Sequence, residues 1–442
     1  MDTVIFTTPC GEIKGIDNGD YIELRGIEYA KAKRFEYPVQ IEKWDGVYDA
    51  TEFGACSYQH RGFEDDEQCN PFYHKEFRSG MTFEYSEDCL FLNIYAPKNA
   101  ENCPVLIFIH GGSFTGGSTN EAHITGKEYA KNGVIFVDMN YRLGAFGFCA
   151  HKDLKTADGR CGNFGLYDQF TAIKWVKDNI SSFGGNPDKI TLMGQSAGAM
   201  SVDIHLSNPM CKNWFSGAVL LSGGALQRRV SKFFTTEKAT HFWDKIISKA
   251  GVGNVEELKT VKAETLYFAW KEACEEDSMS MAYTLPVCDE YLVNNEVFNM
   301  NTIPDIPYIL GVTINDMVPA VLKMLTRSWV KHCKGHKNNC YVYNFNRALP
   351  GDDLGAWHAS DLLYVFGTLD NNWRPFEKVD YEISNQVIKS ICAFAKSGDP
   401  NCNAIPKWIA GYKKPMRFCE SSASLPWATG TLIRNTFKKG PY

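Results

Sequence analysis

No apolar run in this chain approaches the roughly 20 residues that a membrane helix needs. The longest, such as Val105–Ile109 and Val134–Val137, are the size of strands. A spanning segment is therefore excluded, and no membrane is expected as a partner. Positive charge is not in excess either: 46 Lys+Arg stand against 52 Asp+Glu, a formal charge of −6. Without a basic excess or a long basic run the footprint of a nucleic-acid binder is missing. Gly/Ser linkers, internal repeats and long charge blocks are lacking, so nothing divides the chain, and residues 1–442 read as one domain. The opening residues, Met1–Cys10, lack the basic and apolar regions of a secretory signal, and the expected compartment is the cytosol.

Cysteine, by contrast, is plentiful. Fifteen is an odd number, so at least one thiol is free or paired between chains. In a reducing cytosol most would serve as small buried apolar residues. With 44% hydrophobic and 22% charged residues the chain can bury a large core.

Short apolar strands alternate with amphipathic helices, the pattern of a mostly parallel sheet flanked by helices. Strands are expected at 104–109, 133–138, 189–193, 218–221, 307–310 and 341–345. Leu166, Phe170, Ile173, Val176 and Ile180 recur at helical spacing, and the helix they mark should stop at Phe183-Gly184-Gly185-Asn186-Pro187. Residues 3–24 alternate and turn through Gly11, Gly15 and Asn18-Gly19, which predicts antiparallel hairpins at the sheet edge. Residues 227–296 are richer in helical pattern, at 239–250 and 255–272 for example. They read as a helical insertion over the end of the sheet where a site would lie.

Gly194-Gln195-Ser196-Ala197-Gly198 fits G-x-S-x-G between a predicted strand and a small-residue helix start. Such an elbow needs small neighbours because the turn brings backbone close to the serine, whose oxygen is left exposed above the sheet. The helix N-terminus behind it favours developing negative charge. Upstream, His110-Gly111-Gly112-Ser113-Phe114 follows a strand and could supply amide donors to an acyl oxyanion.

A serine nucleophile needs a histidine base oriented by a carboxylate. Of ten histidines, His205 lies on the helix leaving the elbow, His241 in the insertion, and His332 and His336 in a basic, cysteine-flanked loop. His358 follows a turn-rich stretch after the strand 341–345, where this kind of fold presents its base. Asp316 lies in the loop after the strand 307–310, although a turn-capping role would also suit it.

Taken together, these motifs resemble the type-B carboxylesterase and cholinesterase family of α/β-hydrolases, from about Val4 to Trp408. Glu87-Asp88-Cys89-Leu90-Phe91-Leu92-Asn93 is similar to one family signature, and 162–169 leading through 183–187 to the serine is similar to another. The resemblance implies Ser196 as nucleophile, His358 as base and Asp316 as acid, with oxyanion donors at Gly112, Ser113 and Ala197. It implies a serine hydrolase of small to medium or aromatic carboxylic esters, working through an acyl-enzyme without cofactor or metal. Family members that serve as silent scaffolds usually lose a member of the triad; here all three positions hold competent side chains.

Three departures stand out: Asp316 where Glu is usual, Gln195 where Glu is usual, and a shorter helical region after Ser222. The resemblance also implies ion pairs of Arg34 with Glu87 and Arg142 with Asp168, and a disulfide from Cys89 to Cys56 or Cys69. Cys333–Cys340, preceded by His332, has spacings tolerable for zinc, but its lysines would repel a cation and no metal is expected. The partner is a small-molecule ester; the pattern does not reveal an oligomeric state.

Overall fold

The computed structural model describes residues 2–425 apart from 227, 229–234, 278–284, 290, 295–296, 298 and 334–338. Its centre is a 13-stranded sheet. In chain order the strands are β1 (Asp2–Thr8), β2 (Gly11–Asp17), β3 (Tyr21–Glu28), β4 (Val47–Asp49), β5 (Phe91–Pro97), β6 (Cys103–Ile109), β7 (Ile135–Met139), β8 (Gly185–Gln195), β9 (Gly217–Leu221), β10 (Tyr308–Thr313), β11 (Cys340–Phe345), β12 (Met416–Phe418) and β13 (Ala423–Ser424). Their order across the sheet is β1-β2-β3-β5-β7-β6-β8-β9-β10-β11-β12-β13, with β4 beside β2.

From β7 through β12 every neighbouring pair is parallel. β1, β2, β3 and β5 form the antiparallel edge expected from the early Gly and Asn-Gly turns. Among the described residues six helices are longer than ten residues: α1 (Phe164–Asn179), α2 (Ala197–Ser207), α3 (Thr236–Lys249), α4 (Ala263–Glu276), α5 (Pro319–His332) and α6 (Lys378–Ser397), of which α3 and α4 pack on each other in a separate cluster. None of the described helices is long and apolar enough to cross a membrane.

Residues alternate along β6 between two cores. Val105, Ile107 and Ile109 pack with Trp175 and Val176 of α1 and Val202 of α2. Leu106 and Phe108 face Ile383, Val387 and Ile391 of α6. A strand covered on both faces reads as an unbroken apolar run, which is why these segments stood out in the sequence.

The stop after α1 differs in detail from the sequence reading. A 3₁₀ turn (Ile180–Phe183) ends at Gly184, whose φ of 78° suits glycine. Asn186 and Pro187 are already part of β8, where the register shift between Cys103 and Val105 leaves room for a residue without an N–H.

Residues 255–272, which carry one helical pattern, form two helices, Val255–Leu258 and then α4. Arg34 explains the break, because its guanidinium takes the carbonyls of Leu258 (3.1 Å) and Val261 (2.6 Å). The same side chain forks onto Glu87 at 2.9 and 2.5 Å. Arg142 likewise holds Asp168 at 2.8 and 2.7 Å and reaches the carbonyls of Lys33 and Glu36. Both ion pairs implied by the resemblance are therefore made, and both tie the N-terminal segment to the body.

The implied disulfide is not made. Cys56 Sγ lies 2.9 Å from Ser118 Oγ, Cys89 is buried without a bridge to it, and Cys69 is exposed on another segment. Burial pushes the Cys56 thiol up to about 11, so it stays protonated at neutral pH.

Candidate active site

Because β6, β8, β9, β10 and β11 are parallel neighbours, their carboxyl ends open on one edge of the sheet, where this architecture places its ligands. Each end delivers part of the site.

β8 runs into Ser196, which adopts φ 54° and ψ −121°, and α2 starts at the next residue. A non-glycine residue in that region is strained, and the surrounding fold must hold it there. A Cβ on Gly194 would lie 2.4 Å from the carbonyl carbon of Gly198, and one on Gly198 only 2.0 Å from Ile109 O. The glycines of the motif thus let the elbow close against the end of β6. Ser196 N donates to Leu221 O at the end of β9 (2.8 Å). Ala197 is the first residue of α2, so its N–H has no acceptor inside the helix.

The loop after β6 lies directly against this elbow. The Cβ position of Gly111 is 3.0 Å from Ser196 Cβ and 2.5 Å from Gln195 Oε1. Gly112 has φ 108°, and a Cβ there would sit 2.1 Å from Gly116 O, because Thr115 N and Gly116 N both donate to Gly112 O (2.9 and 3.0 Å). Ser113 and Phe114 take φ 55° and 62°, so the loop turns tightly through two left-handed residues that are not glycine.

A buried clamp holds the far end of this loop. Gln59 receives Gly117 N and donates to Gly117 O, both at 3.0 Å, and Arg61 Nε donates to Gln59 Oε1 at 3.0 Å. Arg61 and Arg78 share Glu121 at 2.8 and 3.1 Å. Burial pushes the Glu121 carboxyl up, but Arg78 and Arg61 outweigh it and hold it down to about 2.

β10 leads to Asp316 and β11 to His358. His358 Nδ1 donates to Asp316 Oδ1 at 2.7 Å. The same oxygen accepts Met317 N (2.9 Å), while Oδ2 accepts Ser222 Oγ (2.6 Å) and Thr313 Oγ1 (2.9 Å). Desolvation raises the pKa of this buried carboxyl, yet the hydrogen bond and charge of His358, with Ser222 and Thr313, bring it below the ordinary value. Asn315 ties the two loops together: its N donates to Ala356 O and its Oδ1 accepts Ala356 N, each at 3.0 Å. Gly355, with φ 75°, has only 2.4 Å between its Cβ position and Asn315 Oδ1.

On its other side, His358 Nε2 receives Gln195 Nε2 at 3.2 Å. With Nδ1–H given to Asp316, Nε2 is left as the basic nitrogen, and it faces the elbow. Next to the base, Asp361 is fully enclosed. Burial pushes its pKa up to about 6, against a hydrogen bond from Tyr343 Oη at 2.7 Å.

Ser196, the loop bearing Gly112 and Ser113, Ala197, Asp316 and His358 are thus brought to one edge of the sheet. Of the other histidines, His205 is buried against Gln169 (3.0 Å), and burial pushes its pKa down to about 3. His241 is exposed on α3, His332 ends α5, and His336 lies outside the described residues. Sequence reading missed Ser222, Thr313 and Asn315 around the acid and Gln59 behind the loop. Ser222, Thr313 and Asn315 lie at or just past strand ends, where polar residues are common, and Gln59 carries no local pattern.

The sheet order, the flanking helices and a serine elbow at the carboxyl edge define an α/β-hydrolase. A sequence profile described as the carboxylesterase family matches residues 2–328 and 321–425. The para-nitrobenzyl esterase of Bacillus subtilis (strain 168) is 30% identical over 480 residues, covering 94% of each chain. The bile salt-activated lipase of Mus musculus is 30% identical over 504 residues, covering 90% of this chain and 80% of that protein. Among solved structures, a PNB esterase superposes with TM-score 0.81 at 26% identity, covering 95% of this chain and 96% of that one. The carboxylesterase EST55 of Geobacillus stearothermophilus gives 0.78 at 27%, covering 95% and 97%. The chain belongs to the carboxylesterase family and is a hydrolase of carboxylic esters.

Proposed function

We propose that Ser196, His358 and Asp316 form the catalytic triad, with amides of Gly112, Ser113 and Ala197 as the oxyanion hole. The observation that carries this reading is the 2.7 Å bond from His358 Nδ1 to a buried Asp316 with all its donors in place. It fixes the tautomer in which Nε2 can take a proton from a serine.

Ser196 Oγ attacks the ester carbonyl as its proton passes to His358 Nε2. The tetrahedral oxyanion is stabilised by the three amides, and the alcohol leaves with the proton from His358. Water, deprotonated by the same nitrogen, then releases the acid and regenerates the serine. Apart from that water, the groups named in these steps are the protein's own.

The proposed substrates are small to medium or aromatic carboxylic esters. The names of the para-nitrobenzyl esterase and of the carboxylesterase EST55 support that class. Residues 1–442 are proposed to act as one catalytic domain with 227–296 as a lid-like insertion. The proposed compartment is the cytosol, where unbridged thiols such as Cys56 and Cys89 would persist.

Labelling with a fluorophosphonate probe and peptide mapping tests the assignment. Modification at Ser196, lost in Ser196→Ala and His358→Ala, is the expected result. Labelling at another serine would overturn it.

A further inference from the structure

The catalytic acid is followed by an unusual stretch of charge. From Met317 to Gly351 the sequence has 35 residues without one Asp or Glu, yet carries Lys323, Arg327, Lys331, Lys334, Lys337 and Arg347. With 52 acids in 442 residues, about four would be expected there. In a protein of net charge −6 this is a strong local reversal of sign.

Within this stretch α5 has two apolar faces where a surface helix ordinarily has one. Leu322, Leu325 and Trp329 are buried against the body. Met317, Val318, Val321 and Met324 are 55%, 45%, 40% and 57% exposed. Val321 and Met324 share one row along α5, which the exposed Arg327 and Lys331 continue for two more turns, and Met317 and Val318 lie just before its first residue, Pro319. Met317 follows Asp316 directly and its N donates to Asp316 Oδ1, so the apolar end of this face starts at the acid loop, on the carboxyl edge of the sheet.

Clustered exposed apolar side chains mark an interaction surface. The flanking cations say which surface fits: one with an apolar interior and anionic head groups, into which Met and Val side chains insert while Arg and Lys meet the charge. Unbranched methionine adapts to a fluid environment of this kind. We propose that this face of α5 docks the enzyme on the surface of anionic lipid assemblies, with the acid-loop edge of the sheet turned towards them. Medium-chain and aromatic esters dissolve poorly in water and gather in such surfaces, so docking raises their concentration at the site. The expectation that a membrane plays no part rested on the lack of a spanning segment, and a surface contact requires none. The link to catalysis rests on the proposed function; the docking does not.

The test is sedimentation of the full chain with phosphatidylglycerol vesicles and, separately, phosphatidylcholine vesicles. It compares wild type with Val321→Asp/Met324→Asp and with Arg327→Glu/Lys331→Glu. These side chains are outside the catalytic groups, so hydrolysis of a soluble ester in buffer should stay within about twofold. Wild type is expected to bind the anionic vesicles at least about tenfold more tightly than the neutral ones, and either double variant to lose about tenfold or more. High salt should weaken binding by screening the cations. Absence of wild-type binding, equal binding to both lipids, or full binding by the variants would overturn the proposal. So would a dimer in light scattering that Val321→Asp/Met324→Asp dissociates, since the face would then serve a second copy. Loss of ester hydrolysis with binding intact would count against the proposed function instead.

Discussion

The side-chain amide of Gln195 stands 3.2 Å from His358 Nε2, so the residue before the candidate nucleophile contacts the candidate base itself. The family resemblance implies Glu at this position, and this chain presents a neutral donor instead of a charge. Gln195→Glu should therefore stabilise the imidazolium and move the acid limb of the kcat/KM profile to higher pH, by about one unit. Pre-steady-state and steady-state rates on a soluble ester across pH 5–9 would read this; an unmoved limb would mean that residue 195 does not touch the base in solution.

Asp316 accepts four hydrogen bonds shorter than 3 Å, from His358, Met317, Ser222 and Thr313, and its partners are spaced for aspartate. Asp316→Asn should lower kcat by about 10³–10⁴-fold, since an amide there favours the wrong histidine tautomer. Asp316→Glu should cost about 10²-fold because the extra methylene displaces the ring. Full activity in the glutamate variant would refute the claim that the acid loop is built to the shorter side chain.

Gly112→Ala places a methyl 2.1 Å from Gly116 O at a φ of 108°. The loop must open, and with it the proposed donors at 112 and 113. A fall of about 10²–10³ in kcat with a smaller change in KM is expected, because only the transition state uses those amides fully. A defect confined to KM would place the oxyanion donors elsewhere.

Three enclosed histidines make the fold acid-sensitive. Burial pushes His110 and His123 down to about 4 and His205 to about 3. Their folded values lie below the unfolded value near 6.5, so the unfolded state takes up protons first as the pH falls. Stability is fully present above about pH 6.5 and should drop between there and about pH 4, by roughly 1.4 kcal/mol per pH unit for each histidine involved. Urea melts at pH 7.5 and 5.5 would detect it, and His205→Asn should flatten the slope.

Much of this was legible before any coordinates. The central strands are covered on both faces and so read as unbroken apolar runs at 105–109 and 218–221. The glycines around Ser196 and at 111–112 are forced by backbone approaches of 2.0–2.8 Å, so the chemistry is written as a motif. Arg34 was read only as the partner of Glu87, but in the structure it also takes two carbonyls from residues more than two hundred positions away and thereby divides a predicted helix. The clamp from Glu121 through Arg61 and Gln59 to Gly117 carries no local pattern, because its members meet only when three loops pack together.

By itself the sequence determined the class of sheet, the elbow, the order of candidate nucleophile, acid and base, and the family. Each of these depends on local spacing: period-two and period-3.6 burial, small residues at tight turns, and strand ends that recur in chain order. Tertiary structure alone decided that Cys56 and Cys89 stay free, that Gln195 touches His358, that Ser222 and Thr313 complete the acid, and that one face of α5 is left bare. Those are contacts between segments distant in the chain, set by how layers pack around the sheet, and no spacing within one segment encodes them.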